Sequence, residues 1–268
     1  MLFRSNLSTA AALVAAAAGA RVVKHGNRAA TSRSGSADLL EAVGVRIELT
    51  PEAAREVLEQ VGITYLHAPL YHPAMKHAGP VRRALGIRTA FNLLGPLCNP
   101  GGVQRQLIGV ADSTRREEVA AILEELGTKR AMVVHGAGGA DELTLAGENA
   151  ASFAGDLGSF ALDGRTLGLD GAPVAALEGG DADHNAGLLR RLLDGDGGPL
   201  RDALLYNAAA ALVLAGIAHD ALDGVQLAAC IAVCVAVAVA VAITLASATN
   251  ARQRVARRLR CAFATKGG

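Results

Sequence analysis

The sequence predicts an α/β fold with a largely parallel sheet. Three observations carry this: short apolar runs, amphipathic stretches of helical length between them, and glycines or polar loops where one gives way to the other. The apolar share is 51%, so a sizeable core can be buried, but aromatics make up only 3% and the core must be built from Ala, Val and Leu. A chain of 268 residues suffices for one large domain or two small ones.

Taken in order, Ser8-Thr9 followed by AALVAAAAG reads as a capped helix that stops at Gly19. Arg21 to His25 has the character of a buried strand and opens into a polar loop running to Ser36. Leu39 to Val43 is a short helix closed by Gly44, and Pro51 starts another with Leu58 at helical spacing. Ile63 to Leu66 is a strand. The stretch from His72 to Arg83 is helical by composition, and Phe91-Asn-Leu-Leu-Gly-Pro ends in a turn signal. Gln106 to Val110 and Ala131 to His135 are strands around the amphipathic helix Thr114 to Leu126. Asp156 to Asp183, rich in Gly and Asp, suggests short strands and turns, and Asp202 to Gly216 is an apolar helix.

Charge narrows the function. Against 26 basic residues stand 25 acidic ones, a formal net charge of +1. A nucleic-acid binder usually carries a strong basic excess, so no nucleic-acid partner is expected. Cys98, Cys230, Cys234 and Cys261 form no CxxC pair and no disulfide framework, which suits a reduced, cytoplasmic protein. Arg4 and the alanine run imitate a secretory signal weakly, but the loop at Lys24 follows too soon for a mature N-terminus.

The end of the chain changes character. Leu227 to Ala248 carries no charge, no acid follows Asp223, and Arg252, Arg254, Arg257, Arg258 and Arg260 crowd together. Three readings stay open: a core helix, a membrane anchor with its arginines inside, and a terminus translated out of frame.

Four polar clusters lie at the ends of apolar segments, where parallel α/β sheets bind ligands. Asn6-Leu-Ser8-Thr9 opens a helix, and a helix N-terminus favours anions; plain capping would use the same residues. Lys24-His25-Gly26-Asn27-Arg28, with the Ser/Gly loop through Ser36 to Asp38, suits a polyanion beside a small polar ring. His72-Pro73-Ala74-Met75-Lys76 with Arg82 precedes Asn92-Leu-Leu-Gly95-Pro96-Leu-Cys-Asn-Pro100; a guanidinium there could hold a carboxylate bidentately. Asp141-Glu142 follows a glycine turn, and adjacent carboxylates can hold Mg²⁺ that also contacts phosphate.

The segments KHGNRAATSRSGSADLLEAVGV, HPAMKHAGPVRRALGIRTAFNLLGPLCNP and VVHGAGGADELT, in this order and spacing, resemble anthranilate phosphoribosyltransferase from about Asn6 to Gln226. The resemblance implies a phosphoribosyltransferase/nucleoside-phosphorylase-like α/β domain over residues 1–226. Its central, mostly parallel sheet would be flanked by helices. A remnant of a smaller helical domain is expected at about 70–90, and an atypical tail over 227–268. It further implies a pentosyltransferase of tryptophan biosynthesis that joins phosphoribosyl diphosphate to anthranilate with two Mg²⁺ ions. By the same resemblance, the diphosphate substrate would lie on Asn6, Ser8, Thr9, Lys24 and Ser36, and the metal on Ser8, Asp141 and Glu142. Anthranilate contacts would fall on His25, Asn27, His72, Arg82, Gly95 and Pro96.

No protein nucleophile or general base is implied, so catalysis would rest on positioning and electrostatics. Relatives dimerise through the helical domain, most of which has no counterpart here, and they carry a GTGGD diphosphate loop that is also missing. The chain as written is therefore expected to be N-terminally truncated, to fold partly and to turn over poorly or not at all. A pyrimidine nucleoside phosphorylase would share the fold and a KH loop, but the GNR, HPAM and NLLGP segments argue against it.

Overall fold

The computed structural model describes residues 5–29, 33–75 and 91–232, together with 77, 78, 81 and 84. Arg82 and the tail from residue 233 lie outside the described residues.

The elements run α1 (Leu7–Ala17), β1 (Val22–Gly26), α2 (Ser36–Ala42), α3 (Pro51–Val61), β2 (Ile63–His67), α4 (Ala68–Tyr71) and α5 (Phe91–Leu97). There follow β3 (Arg105–Gly109), α6 (Arg116–Glu125), β4 (Arg130–His135), β5 (Ala150–Gly155), α7 (Ala182–Asp194) and α8 (Pro199–Ala215). Residues 221–232 are helical as well. β1 and β2 pair in parallel with Val22 opposite Ile63, and β3 and β4 pair in parallel with Arg105 opposite Arg130. β5 runs antiparallel on the far side of β4. The sheet is thus mostly parallel, as the alternation of strands and helices predicts, but its ladders form two separate sections among the described residues.

Local chemistry explains most boundaries. Thr50 Oγ1 accepts from Ala53 N–H (3.3 Å) with Pro51 behind it, and α3 stops where Gly62 takes φ 85°. α8 is buried almost throughout, from Ala203 to Leu214. It packs along α1, which buries Leu7, Ala10, Ala11 and Val14. The core is aliphatic, with Tyr206 the largest fully buried side chain among the described residues.

Four details differ from the sequence reading. Ser8 and Thr9 do not cap α1: Asn6 holds the cap position in the left-handed region (φ 58°), so both hydroxyl residues fall inside the first turn. Gly95-Pro96 is not itself the turn but sits in the last turn of α5; the chain turns only at residues 98–102. The Gly/Asp-rich span contains short 3-10 turns (Gly164–Leu167 and Val174–Leu177), while the strand lies just ahead of it as β5. Small residues in AASFAG hid that strand, since they give no apolar alternation to read. Finally, α7 has no counterpart among the predicted elements, although Asp181 caps it by accepting from His184 N–H (2.9 Å).

Candidate active site

Two sites flank β1, because successive side chains on a strand point to opposite faces. Lys24 reaches one side, where its Nζ donates to Ser8 Oγ (3.3 Å). There Ser8 N–H, at the start of α1, donates to Glu142 Oε1 (3.1 Å) across 134 positions of sequence. A carboxylate at a helix N-terminus meets exposed N–H groups and the positive end of the dipole. Burial pushes the Lys24 ammonium down to about 8, and the Glu142 carboxylate partly offsets this. Glu142, the helix start and the lysine thus form one corner, with Asp141 adjacent to it in sequence.

The other residues of α1's entrance are tied down too. Asn6 is buried, and its Nδ2 donates to Ser34 Oγ (3.3 Å) in the Ser/Gly loop. It is the only non-glycine residue with positive φ among those described; asparagine tolerates that region better than most. Thr9 is buried, with no partner for its Oγ1 among the described residues. Ser36 Oγ and Tyr65 OH share a hydrogen bond (3.0 Å), and burial pushes the Tyr65 phenol up to about 12. Gly26 lies against both hydroxyls, and a Cβ there would collide with them. Asp38 closes the loop by accepting from Ala29 N–H and Gly35 N–H (2.8 Å each).

His25, on the opposite face, meets His72 edge-on with ring centroids 5.0 Å apart. Burial, then the neighbouring His72, lower the His25 pKa, while a hydrogen bond to the Gly95 backbone opposes them. Nε2 of both rings is buried without a partner among the described residues. Asn27 is exposed and its Oδ1 accepts from Arg28 N–H (2.8 Å), so its amide supports the local turn. Pro96 follows Gly95 in α5, and Asn99 docks the segment on β1 by donating to Val23 C=O (3.1 Å).

Several residues that build this region escaped the sequence reading. A Cβ on Gly109 would fall inside the Asp141 carbonyl oxygen, and one on Gly136 inside that of Glu142. Two glycines at strand ends therefore let the acidic segment lie flat across the sheet. Asn149 Oδ1 accepts from Ala137 N–H (3.1 Å) and Thr144 N–H (2.8 Å), closing the loop on itself. Asn207 holds Leu143 from α8. The available signal was a lone amide inside an apolar run, LLYNAAAALVLA.

The donors suit a hard cation: two carboxylates and a hydroxyl, all oxygen. Among the described residues no group of three or more His, Cys, Asp or Glu could by itself hold a metal ion. Magnesium is usually bound through one or two carboxylates plus substrate phosphates, so the residues present fit it. Two surface cavities, of about 270 and about 320 Å³, are lined by other residues, among them Arg165 and Pro173, and Thr50 and Tyr71.

Comparison with known proteins follows the same lines. Residues 3–233 match the family model described as glycosyl transferase family, a/b domain. An anthranilate phosphoribosyltransferase of Methanocorpusculum labreanum is 50% identical over 225 residues, 83% of this chain and 66% of the relative. The chain therefore spans just under two thirds of that relative's length. The anthranilate phosphoribosyltransferase structure from Thermus thermophilus superposes with a TM-score of 0.82 at 46% identity, covering 97% of this chain and 74% of that one. The Saccharomyces cerevisiae enzyme in complex with PRPP and Mg gives 0.79 at 27% identity, covering 91% and 70%. The family match reaches past Gln226, and the helix at 221–232 buries Val225, Ala228 and Ala232 against the core. By sequence over most of its length, and by fold, the chain belongs to the glycosyl transferase family with this α/β domain, among the anthranilate phosphoribosyltransferases.

Proposed function

We propose that this chain carries the site that transfers a phosphoribosyl group from phosphoribosyl diphosphate to the amine of anthranilate, releasing diphosphate. The observation that carries the reading is the junction of Ser8, Lys24 and Glu142: an anion-seeking helix start, a cation and a carboxylate within hydrogen-bond reach of one another. A relative in complex with PRPP and Mg adds support.

In this reading Ser8 and Thr9 offer hydroxyls and N–H groups to phosphate at the start of α1, and Lys24 offers its ammonium from β1. Ser36, steadied by Tyr65, adds a donor from the Ser/Gly loop. Asn6 keeps the helix entrance and that loop together through Ser34. Asp141, Glu142 and Ser8 would hold magnesium, with two ions as the finer proposal; when bound, the metal supplies charge neutralisation on the departing diphosphate. The acceptor would lie on the other face of β1, with its ring against His25 and His72 and the backbone of Gly95 and Pro96. Arg82 would grip the carboxylate bidentately, and Asn27 would orient the polar edge. No side chain is required as nucleophile. The weakly basic aryl amine keeps its lone pair near neutral pH and needs only to be aimed at the ribosyl carbon, which is the work of positioning.

The test measures PRPP binding by calorimetry with and without MgCl2, and turnover by loss of anthranilate fluorescence. Binding should require magnesium and weaken at least tenfold in Glu142→Gln, and fluorescence loss should require PRPP and magnesium together. PRPP binding indifferent to both magnesium and Glu142→Gln would overturn the reading.

A further inference from the structure

The residue after the acidic pair is gripped from the opposite side of the fold. Asn207, within α8, accepts from Leu143 N–H at Oδ1 (3.1 Å) and donates from Nδ2 to Leu143 C=O (2.8 Å). The amide thus stands in for a neighbouring strand. Its second Nδ2 hydrogen goes to Ala203 C=O (2.9 Å), so both donors are used. Asn207 is 2% exposed in a helix otherwise lined with Ala, Leu and Val. A primary amide buried there costs free energy unless its polar atoms find partners, and an aliphatic residue would pack the helix at lower cost. It lies far from either helix end, so it caps nothing.

What the grip controls follows from the geometry. Leu143 is fully buried, while Glu142 before it turns its carboxylate to Ser8 N–H. Ser8 belongs to α1, which packs along α8. The segment is therefore held on one side by the helix that carries Asn207 and on the other by the helix that receives Glu142. Gly109 and Gly136 leave room beneath it for the backbone.

We infer that Asn207 is a positioning residue for the Asp141-Glu142 pair: its two-bond hold on Leu143 sets where the carboxylates stand over the strand ends, and through them the affinity for a divalent cation. This rests on the acidic pair being the holder of the magnesium diphosphate. Asn207 touches neither substrate nor metal.

The full chain is compared with Asn207→Ala, with the milder Asn207→Ser, and with Tyr206→Phe. Tyr206→Phe is a control on the same helix that loses the bond to Ala161 C=O (2.7 Å) and the phenol's contact with Asn149 but leaves the Asn207 hold on Leu143 in place. Without any ligand, amide hydrogen exchange should accelerate at least tenfold at Leu143 and also at Ser8 in the Asn207 variants, and at neither in Tyr206→Phe. Faster exchange at Leu143 with Ser8 unchanged would show a purely local bond and overturn the proposal. With PRPP as probe, the MgCl2 concentration for half-maximal binding should rise about tenfold in the Asn207 variants, the range seen when outer partners of metal ligands are removed. Equal half-saturation in all four proteins would also overturn it. If the parent chain binds PRPP without magnesium, the substrate reading falls, and the Ser8 exchange still judges the grip.

Discussion

On one face of β1 the polar groups answer one another: Lys24 meets Ser8, Ser8 meets Glu142, and the loop behind Glu142 is fastened by Asn149 and Asn207. On the other face His25 and His72 touch edge-on, and each keeps a buried Nε2 without a partner among the described residues. The first corner is joined by hydrogen bonds, with Lys24 facing the Glu142 carboxylate, before any ligand arrives. The second is assembled from ring edges and one helix turn, with buried nitrogens whose hydrogen-bonding capacity remains unused. A charged diphosphate gains most from groups that need no rearrangement, whereas a flat aromatic acid needs a slot whose polar points remain available. Perturbing one face should therefore leave the other standing.

The largest effect should come from the glycines beneath the acidic pair. Gly109→Ala and Gly136→Ala each drive a Cβ into a backbone carbonyl that cannot swing aside. Overpacking of this kind costs about 1–3 kcal/mol, so both variants should melt earlier and lose magnesium-dependent PRPP binding. Gly139→Ala is the comparison. Its φ of 85° is strained for alanine, but nothing lies within 4 Å of the added carbon, so it should cost about 1 kcal/mol and spare the binding. Equal loss of binding in all three would show that loop strain, and not the position of the acids, governs the site.

Next in size is the pH dependence of the first corner. The Lys24 ammonium titrates at about 8 in the folded chain against an ordinary value of 10.5. Below pH 8 the cost of burying the charge is fully present. Between about 8 and 10.5 the unfolded chain binds more protons than the folded one, so stability gains from Lys24 as pH rises through that window. PRPP binding should move the other way and weaken about tenfold from pH 7 to 9.5 as the positive charge is lost. Lys24→Arg keeps its charge and should flatten the binding profile. Opposite slopes for melting and binding, both abolished in Lys24→Arg, would single out this residue among the cations.

A smaller effect should be confined to the opposite face. His72→Phe keeps a ring against His25 but removes the free nitrogen. The KM for anthranilate should rise several-fold while PRPP binding stays within a factor of two. Because burial holds the His25 pKa below its ordinary value, acidification through its titration should shift the anthranilate KM in the parent chain while PRPP binding stays put. A change in PRPP affinity equal to that in KM would mean the two faces are one site.

The two faces were also unequally legible in sequence. Lys24, Ser8 and Glu142 stand at the ends of apolar segments, but by type alone Ser8 reads equally as a cap and Glu142 as a surface acid; the resemblance of the motifs singled them out, and their meeting across 134 positions is what the parallel topology delivers. The strands β1 to β4 could be read from their apolar runs. β5 could not, since an antiparallel strand of Ala, Ser and Gly leaves no pattern. Nor could the supports be read. Gly109 and Gly136 resemble any glycine until the segment they admit is placed above them, and Asn207 stands out as an amide in an apolar run but shows what it holds only when Leu143 is found against it. Side chains that hold other residues in place are visible only through contacts.

The smallest expected effect probes the edge of the first corner. Tyr65 is buried on β2, opposite Lys24 in the ladder, and its hydroxyl shares a hydrogen bond with Ser36. Tyr65→Phe removes that single bond and leaves the ring packing, so stability should fall by about 0.5–1.5 kcal/mol. If Ser36 is steadied by the phenol, its hydroxyl will sample other rotamers in the variant, and PRPP affinity should drop two- to fivefold with the anthranilate KM unchanged. Ser36→Ala should cost about the same, and the double variant no more than either alone, because the two hydroxyls would act as a unit. Additive losses in that cycle would separate the two and leave Ser36 to act alone.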